Sequence, residues 1–209
     1  NGVGGLIGSI TLSNDLTGSI TSAFSNATVS GSQAGQTMSS GGLIGIVIGS
    51  TTSTFSISSA GATGSASATQ GTTGGSIGAI NVTAGTYNLD IVSASGSSSA
   101  SGDSGGLIGN INATTGSVVN VSKSYATGSS TTALNAYSGG LVGSIYSSAS
   151  TVTISNSYAQ GSATATIGAA ASFNGFSQLA NAGTVTFQQC YGTGLVTGAT
   201  ANGFTGGAT

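Results

Sequence analysis

The chain contains no histidine, glutamate, proline or tryptophan, and it has one cysteine, one lysine and three aspartates. Each shortage removes a class of chemistry. Without histidine a Ser-His-Asp arrangement is impossible, and the commonest general base and metal ligand are missing. The sequence therefore predicts a protein that is not an enzyme, with no catalytic, cofactor-binding or metal-binding residue. One cysteine rules out an internal disulfide, which leaves stability to backbone pairing and packing. With a net charge of -2 and a single cation, about one phosphate could be neutralised, so nucleic acid is excluded as a partner. The longest apolar stretch, GGLIGIVIG from Gly41 to Gly49, is far shorter than the roughly 20 residues that cross a bilayer, and no transmembrane segment is expected. No basic-apolar-small leader precedes Asn1, which fits either a processed chain or one that was never exported.

What is abundant is glycine, at 38 positions, with serine and threonine at 69 of 209. Taken alone this reads as low-complexity linker. Disordered chains, however, combine low hydrophobicity with high charge, whereas here charge is almost absent and Val, Ile, Leu, Tyr and Phe recur in short alternating bursts. Such a chain must fold or aggregate.

The bursts are periodic. GGLIG occurs at Gly4, Gly41 and Gly105, GGSIG at Gly74 and GGLVG at Gly139, with degenerate copies NGFSQ at Asn174 and NGFTG at Asn202. The mean separation of these starts is 33 residues. A second motif follows each start, as VNVSKSYATG, VTISNSYAQG and VTFQQCYGTG, whose closing glycines are Gly128, Gly161 and Gly194. Phe24 takes the tyrosine slot in the first repeat, where Ala27 replaces the closing glycine. Period-2 alternation with β-branched residues reads as strand, and glycine every few residues argues against helix at about 1 kcal/mol each.

One such unit cannot bury its own apolar face, but stacked units form a continuous core. The prediction is all-β, a parallel β-solenoid (β-helix) of about six 33-residue repeats in a single domain over 1-209. Coils about 4.8 Å apart would make a rod roughly 30 Å long. Val121, Ile154 and Phe187 should form one apolar ladder, and Tyr125, Tyr158 and Tyr191, with Phe24 in the same slot, a second, aromatic one. The paired glycines Gly5, Gly42, Gly75, Gly106, Gly140 and Gly175 should supply corners with positive φ or close backbone approach.

GGLIG and GGLVG, preceded by an aromatic-small-x-Gly segment such as Tyr125-Ala126-Thr127-Gly128, resemble the GLUG-motif repeats of bacterial surface proteins, adhesin-like proteins and some secreted peptidases outside their catalytic regions. The resemblance spans the whole chain, most strongly from Gly105 to Gly194. It implies a secreted or cell-surface β-solenoid stalk or adhesive module and transfers no catalytic residue.

Several single residues call for a reading. Lys123, between Ser122 and Ser124, could in principle form a Ser-Lys dyad, but Asn156 and Gln189 take its slot in the next repeats, which predicts a solvated corner. Cys190 occupies the slot of Ser124 and Ser157 and reads as a small packed residue, with an intermolecular disulfide as the alternative. Asp15, Asp90 and Asp103 fall in different slots, outside any calcium loop, and read as surface charges that oppose edge-to-edge aggregation. Sequons at Asn26, Asn81, Asn112 and Asn120 are no more numerous than chance predicts and leave glycosylation open. The glycine clusters lack the GK[ST] of a phosphate loop.

No charged or helical cap is visible at either end, so the expectation is a piece of a longer protein or subunits stacked head to tail. The function expected is an extracellular structural protein, a self-associating filament subunit or adhesin stalk, partnered by itself or by other cell-surface material. The alternative is a module whose flat Ser/Thr-rich face binds carbohydrate, a host surface or ice; Thr151-Val152-Thr153 and Thr184-Val185-Thr186 repeat the Thr-x-Thr pattern of such a face, but Val118 and Asn120 break it in the preceding unit.

Overall fold

Parallel pairing alone joins the named strands of the computed structural model, which describes residues 1–13, 15–32, 36–50 and 52–206. The chain winds as a β-solenoid of about six turns, and the described residues contain no helix. It follows that none among them is long and apolar enough to cross a membrane. The fourth coil shows the pattern. Ile108–Thr114 lies in a six-stranded sheet, Val118–Ser122 and Tyr125–Ala126 in a ten-stranded sheet, and Ser130–Thr132 and Ser138–Gly139 in the two arms of an eleven-stranded sheet. Val142–Ser148 then returns to the first sheet one rung on. One repeat is one coil.

The glycine pair is explained by distance rather than by φ. A Cβ on the first glycine would sit 1.9 Å from the Ile108 carbonyl oxygen at Gly105 and 1.8 Å from that of Val142 at Gly139, because the chain doubles back on itself there. On the second it would meet the next coil, 2.3 Å from the Gly75 oxygen at Gly42, 2.1 Å from Gly106 at Gly75 and 2.0 Å from Gly140 at Gly106. Of the alternatives left by the sequence, close approach is the one that applies. The closing glycines obey the same constraint, with Cβ positions 1.9–2.0 Å from the preceding coil's oxygen at Gly96, Gly128, Gly161 and Gly194. Ala27 needs no glycine, since among the described residues no coil lies on that side.

Left-handed backbone is taken at one corner by a column without glycine, Ser22, Ser59, Ile91, Lys123, Asn156 and Gln189, with φ between 48° and 56°, and also in the turn from the first sheet to the second, at Ala84, Thr115, Ala149 and Asn181. This conformation costs an L-residue about 1–2 kcal/mol. It persists because the corner N–H is aimed at the next coil, as from Lys123 to the Ser155 oxygen at 3.1 Å and from Asn156 to the Gln188 oxygen at 2.9 Å.

The core lies between the six- and ten-stranded sheets. One column runs Ile20, Ile57, Leu89, Val121, Ile154, Phe187, and another Phe55, Tyr87, Val119, Val152, Val185. Tyr87 is fully buried because Gly49 leaves room for its phenol, which lies 3.2 Å from the Ser53 hydroxyl. Between the arms of the third sheet the interior is polar: Ser98 meets Ser104 at 2.9 Å and Ser130 meets Ser138 at 2.8 Å, and Ser98 and Ser130 also donate to the Gly105 and Gly139 carbonyls.

The register corrects the sixth repeat. Gly139 pairs with Ala171 and Val142 with Asn174, so the unit starts at Ala171, three residues before Asn174. Phe173 then takes the leucine slot, fully buried and stacked on Phe204 at 4.7 Å. Gly175 leaves the paired-glycine column and joins Gly45, Gly78, Gly109 and Gly143, with its Cβ position 2.4 Å from the Gly143 oxygen. Ser172 replaces the second glycine of the pair. The final start at Asn202 stands, in register with Ala171.

The close approach can be tested at one site. Gly106→Ala should cost at least about 2 kcal/mol of unfolding free energy, because a backbone oxygen at 2.0 Å must move. Gly203→Ala, whose Cβ meets nothing within 4 Å, should leave the denaturant midpoint unchanged.

Candidate functional site

The ladder residues named from the sequence fall into two settings. Val121, Ile154 and Phe187 pair in register inside the core. Tyr125, Tyr158 and Tyr191 stack outside it, with ring centroids 5.1 and 5.3 Å apart and planes within 6°. Burial, and then the charges of Tyr125 and Tyr191, push the Tyr158 phenol up. Phe24 shares the column but not the stack, because Gly61 and Ser93 intervene and leave its ring 69% exposed.

Corner side chains join coils rather than form a reactive pair. Ser124 Oγ accepts the Val92 N–H at 3.0 Å and donates to the Ser122 carbonyl at 2.8 Å, while Lys123 Nζ lies 3.4 Å from Asp90 Oδ1. Ser157 repeats the arrangement on the Ser124 N–H and the Ser155 carbonyl. Cys190, half-buried in the same slot, donates to the Ile154 carbonyl, and burial raises its thiol pKa. Of the sequon asparagines, Asn26 is exposed, Asn81 and Asn112 sit on adjacent rungs of one strand face, and Asn120 donates its amide to Asn88 at 2.9 Å.

Asp103 departs from its reading as a surface charge. It is half-buried at the inner angle where the third sheet turns into the first. Its carboxylate accepts the Tyr137 N–H at 3.1 Å and the Ser144 hydroxyl, and Ser144 in turn accepts from Asn110 Nδ2 at 2.7 Å. Tyr137 stacks on Phe176 with centroids 4.2 Å apart. These residues, with Tyr146 and Gln178, line a cleft of about 310 Å³. None of these partners was legible as a site in the sequence. The misplaced sixth repeat put Phe176 in the leucine slot, whereas the true register faces it outward beside Ser144. No group of three or more potential metal-ligating side chains occurs among the described residues.

The outer face of the ten-stranded sheet carries a longer threonine column than the two Thr-x-Thr rungs suggest. Thr17, Thr54, Thr86, Val118, Thr151 and Thr184 are in register, and all are exposed or half-buried. Val118 is the only break, although the neighbouring column mixes Ser, Asn and Thr.

Burial pushes the Asp103 carboxyl above the ordinary carboxylate range, and the hydrogen bonds from Ser144 and Tyr137 lower it less. The folded state therefore holds this proton more tightly than the unfolded chain. Stability from Asp103 is fully present below the unfolded value of about 3.9 and is lost as pH rises through the raised folded value. Asp103→Asn should flatten that decline: the difference in urea midpoint between variant and parent should move in the variant's favour from pH 3 upward. A difference that does not vary with pH would refute the assignment.

Comparison with protein-family models, with curated proteins and with solved structures finds no match to the chain.

Proposed function

We propose that the chain is an extracellular structural protein, a secreted or cell-surface β-solenoid of the kind its GGLIG repeats resemble in the GLUG-motif proteins. It acts by axial continuation of its coils, either as a filament subunit joined to copies of itself or as a stalk segment. The observation that supports this most is that ladders in the first and second sheets run in register from the first coil to the last, and the third sheet follows with one register shift, between Ala165 and Ala169. Among the described residues, the strands of the end coils, such as Thr184–Gln188, carry a partner on one side only. An edge of that kind is a template for another strand, and a chain with 2% charged residues offers little repulsion to association.

Electron microscopy and fibre diffraction of purified chain test this. Uniform fibres with an axial repeat near 4.8 Å are expected for a filament subunit. Discrete short rods that remain monomeric at micromolar concentration would overturn the filament form and leave the stalk.

A second reading, a module that binds a periodic surface such as ice, is favoured by the threonine column from Thr17 to Thr184 alone. The column repeats at the rung spacing of a parallel sheet, about 4.8 Å. If this reading holds, the chain should show thermal hysteresis that Thr54→Lys, at an exposed rung flanked by Thr17 and Thr86, reduces; ordinary freezing behaviour of the parent chain eliminates it.

A further inference from the structure

Two outward columns meet at the inner angle beside the glycine pairs. On one side stand Thr72, Asp103 and Tyr137, the residues that precede Thr73, Ser104 and Ser138 in their rungs. On the other stand Ile46, Ala79, Asn110, Ser144 and Phe176. In the early coils these positions hold small or aliphatic residues, which is all that stacking requires. From the fourth coil to the sixth they change together into a carboxylate, a carboxamide and two aromatic rings. Tyr146 and Gln178 extend the cluster in the next outward column, above Asn112. Coil pairing does not require such a local departure, since the earlier coils pair in the same register without it.

We propose that this cleft binds a neutral saccharide, one or two rings of a longer glycan lying along the solenoid axis. Four observations select that chemistry. First, an anionic ligand would face the Asp103 carboxylate with no cation to receive it, because Lys123 is engaged with Asp90 on another sheet. Second, a purely apolar ligand would strip water from Asp103, Asn110 and Gln178 without replacing their hydrogen bonds. Third, a saccharide offers both kinds of surface, C–H faces for the Tyr137–Phe176 pair and hydroxyls that donate to a carboxylate and exchange hydrogen bonds with carboxamides. Fourth, the cleft of about 310 Å³ is at the small end of ligand pockets, roughly 300–1,000 Å³, and open along the groove.

The site is also preorganised. The chain of bonds from Asn110 through Ser144 to Asp103 fixes two of the polar groups before any ligand arrives, which lowers the ordering cost of binding. The inference does not depend on filament formation; a stalk or a subunit could carry it equally.

Calorimetric titration of the full chain with cellotetraose, mannotetraose and chitotetraose tests the site. At least one should saturate below about 10 mM. Phe176→Ala should weaken that sugar about tenfold or more, and Gln178→Ala, at an exposed position with no part in the core, should weaken it about threefold. Thr153→Ala, on the opposite sheet, should leave it unchanged. Unfolding midpoints of the same samples identify any loss that reflects misfolding, in which case Gln178→Ala alone decides. The proposal is overturned if none of the three sugars binds at that concentration, if binding is indifferent to both cleft variants, or if choline chloride binds more tightly than every sugar, which would make the aromatic rings a cation cage.

Discussion

The distance between adjacent coils of a parallel solenoid is set by backbone hydrogen bonds, and the sequence has no freedom to enlarge it. At most positions side chains project to one face or the other and the spacing is harmless. At the two corners where the backbone turns edge-on, a Cβ would occupy the space of a carbonyl oxygen, 1.8–2.3 Å away. Glycine satisfies this without displacing the oxygen, and the GGLIG pairs and the closing Gly64, Gly96, Gly128, Gly161 and Gly194 repeat for that reason; the sixth pair, Ala171 and Ser172, is the exception. The third corner is of another kind. Its left-handed residues keep their side chains in solvent, so Ser, Ile, Lys, Asn and Gln are all admitted.

With the corners fixed, the interior divides in two. Leucine, isoleucine and aromatic side chains fill the space between the first and second sheets, whereas the space between the arms of the third holds mainly serine, threonine and alanine. Hydroxyls are tolerated there because they bond to one another and to the Gly105 and Gly139 carbonyls. Ser76 is the contrasting case. It stands in the leucine column between Leu43 and Leu107, linked by backbone bonds of 2.9 and 3.0 Å, and its buried hydroxyl has no hydrogen-bond partner among the described residues. An unpaired hydroxyl costs about 1–3 kcal/mol, a local weakness that the flanking leucines must offset.

How much of this could be read from the amino-acid order follows from the same geometry. Columns under steric constraint repeat their identity, so GGLIG, the closing glycines and the Val121–Ile154–Phe187 ladder mark the solenoid without a structure. Columns free of constraint drift, and where two drifted units resemble each other by chance the register slips. NGFSQ imitates GGLIG closely enough to displace the sixth start by three residues, because Ala171 and Ser172 have replaced its glycines. That slip hid the cleft. Phe176 appeared to belong to the core, and Asp103, lying 73 residues before Phe176 in sequence, had no visible relation to Tyr137 or Asn110. Pairing across rungs is what joins them, and no local pattern encodes a contact between residues a full coil apart except through the register.

The same separation explains where a binding site can arise on such a scaffold. Substitutions in the glycine columns or the core ladders disturb two neighbouring coils each, whereas outward positions touch mainly the residue above and below them. The inner angle beside the glycine pairs is the outward surface with the most shelter, since two columns converge there and partly exclude water from groups such as Asp103. Exposed threonine on the flat sheet offers hydroxyls at a regular spacing but no enclosure. Enclosure and regularity thus lie on different faces of one rod, so coils can continue along the axis without covering either, and the two proposed roles place no competing demand on the same residues.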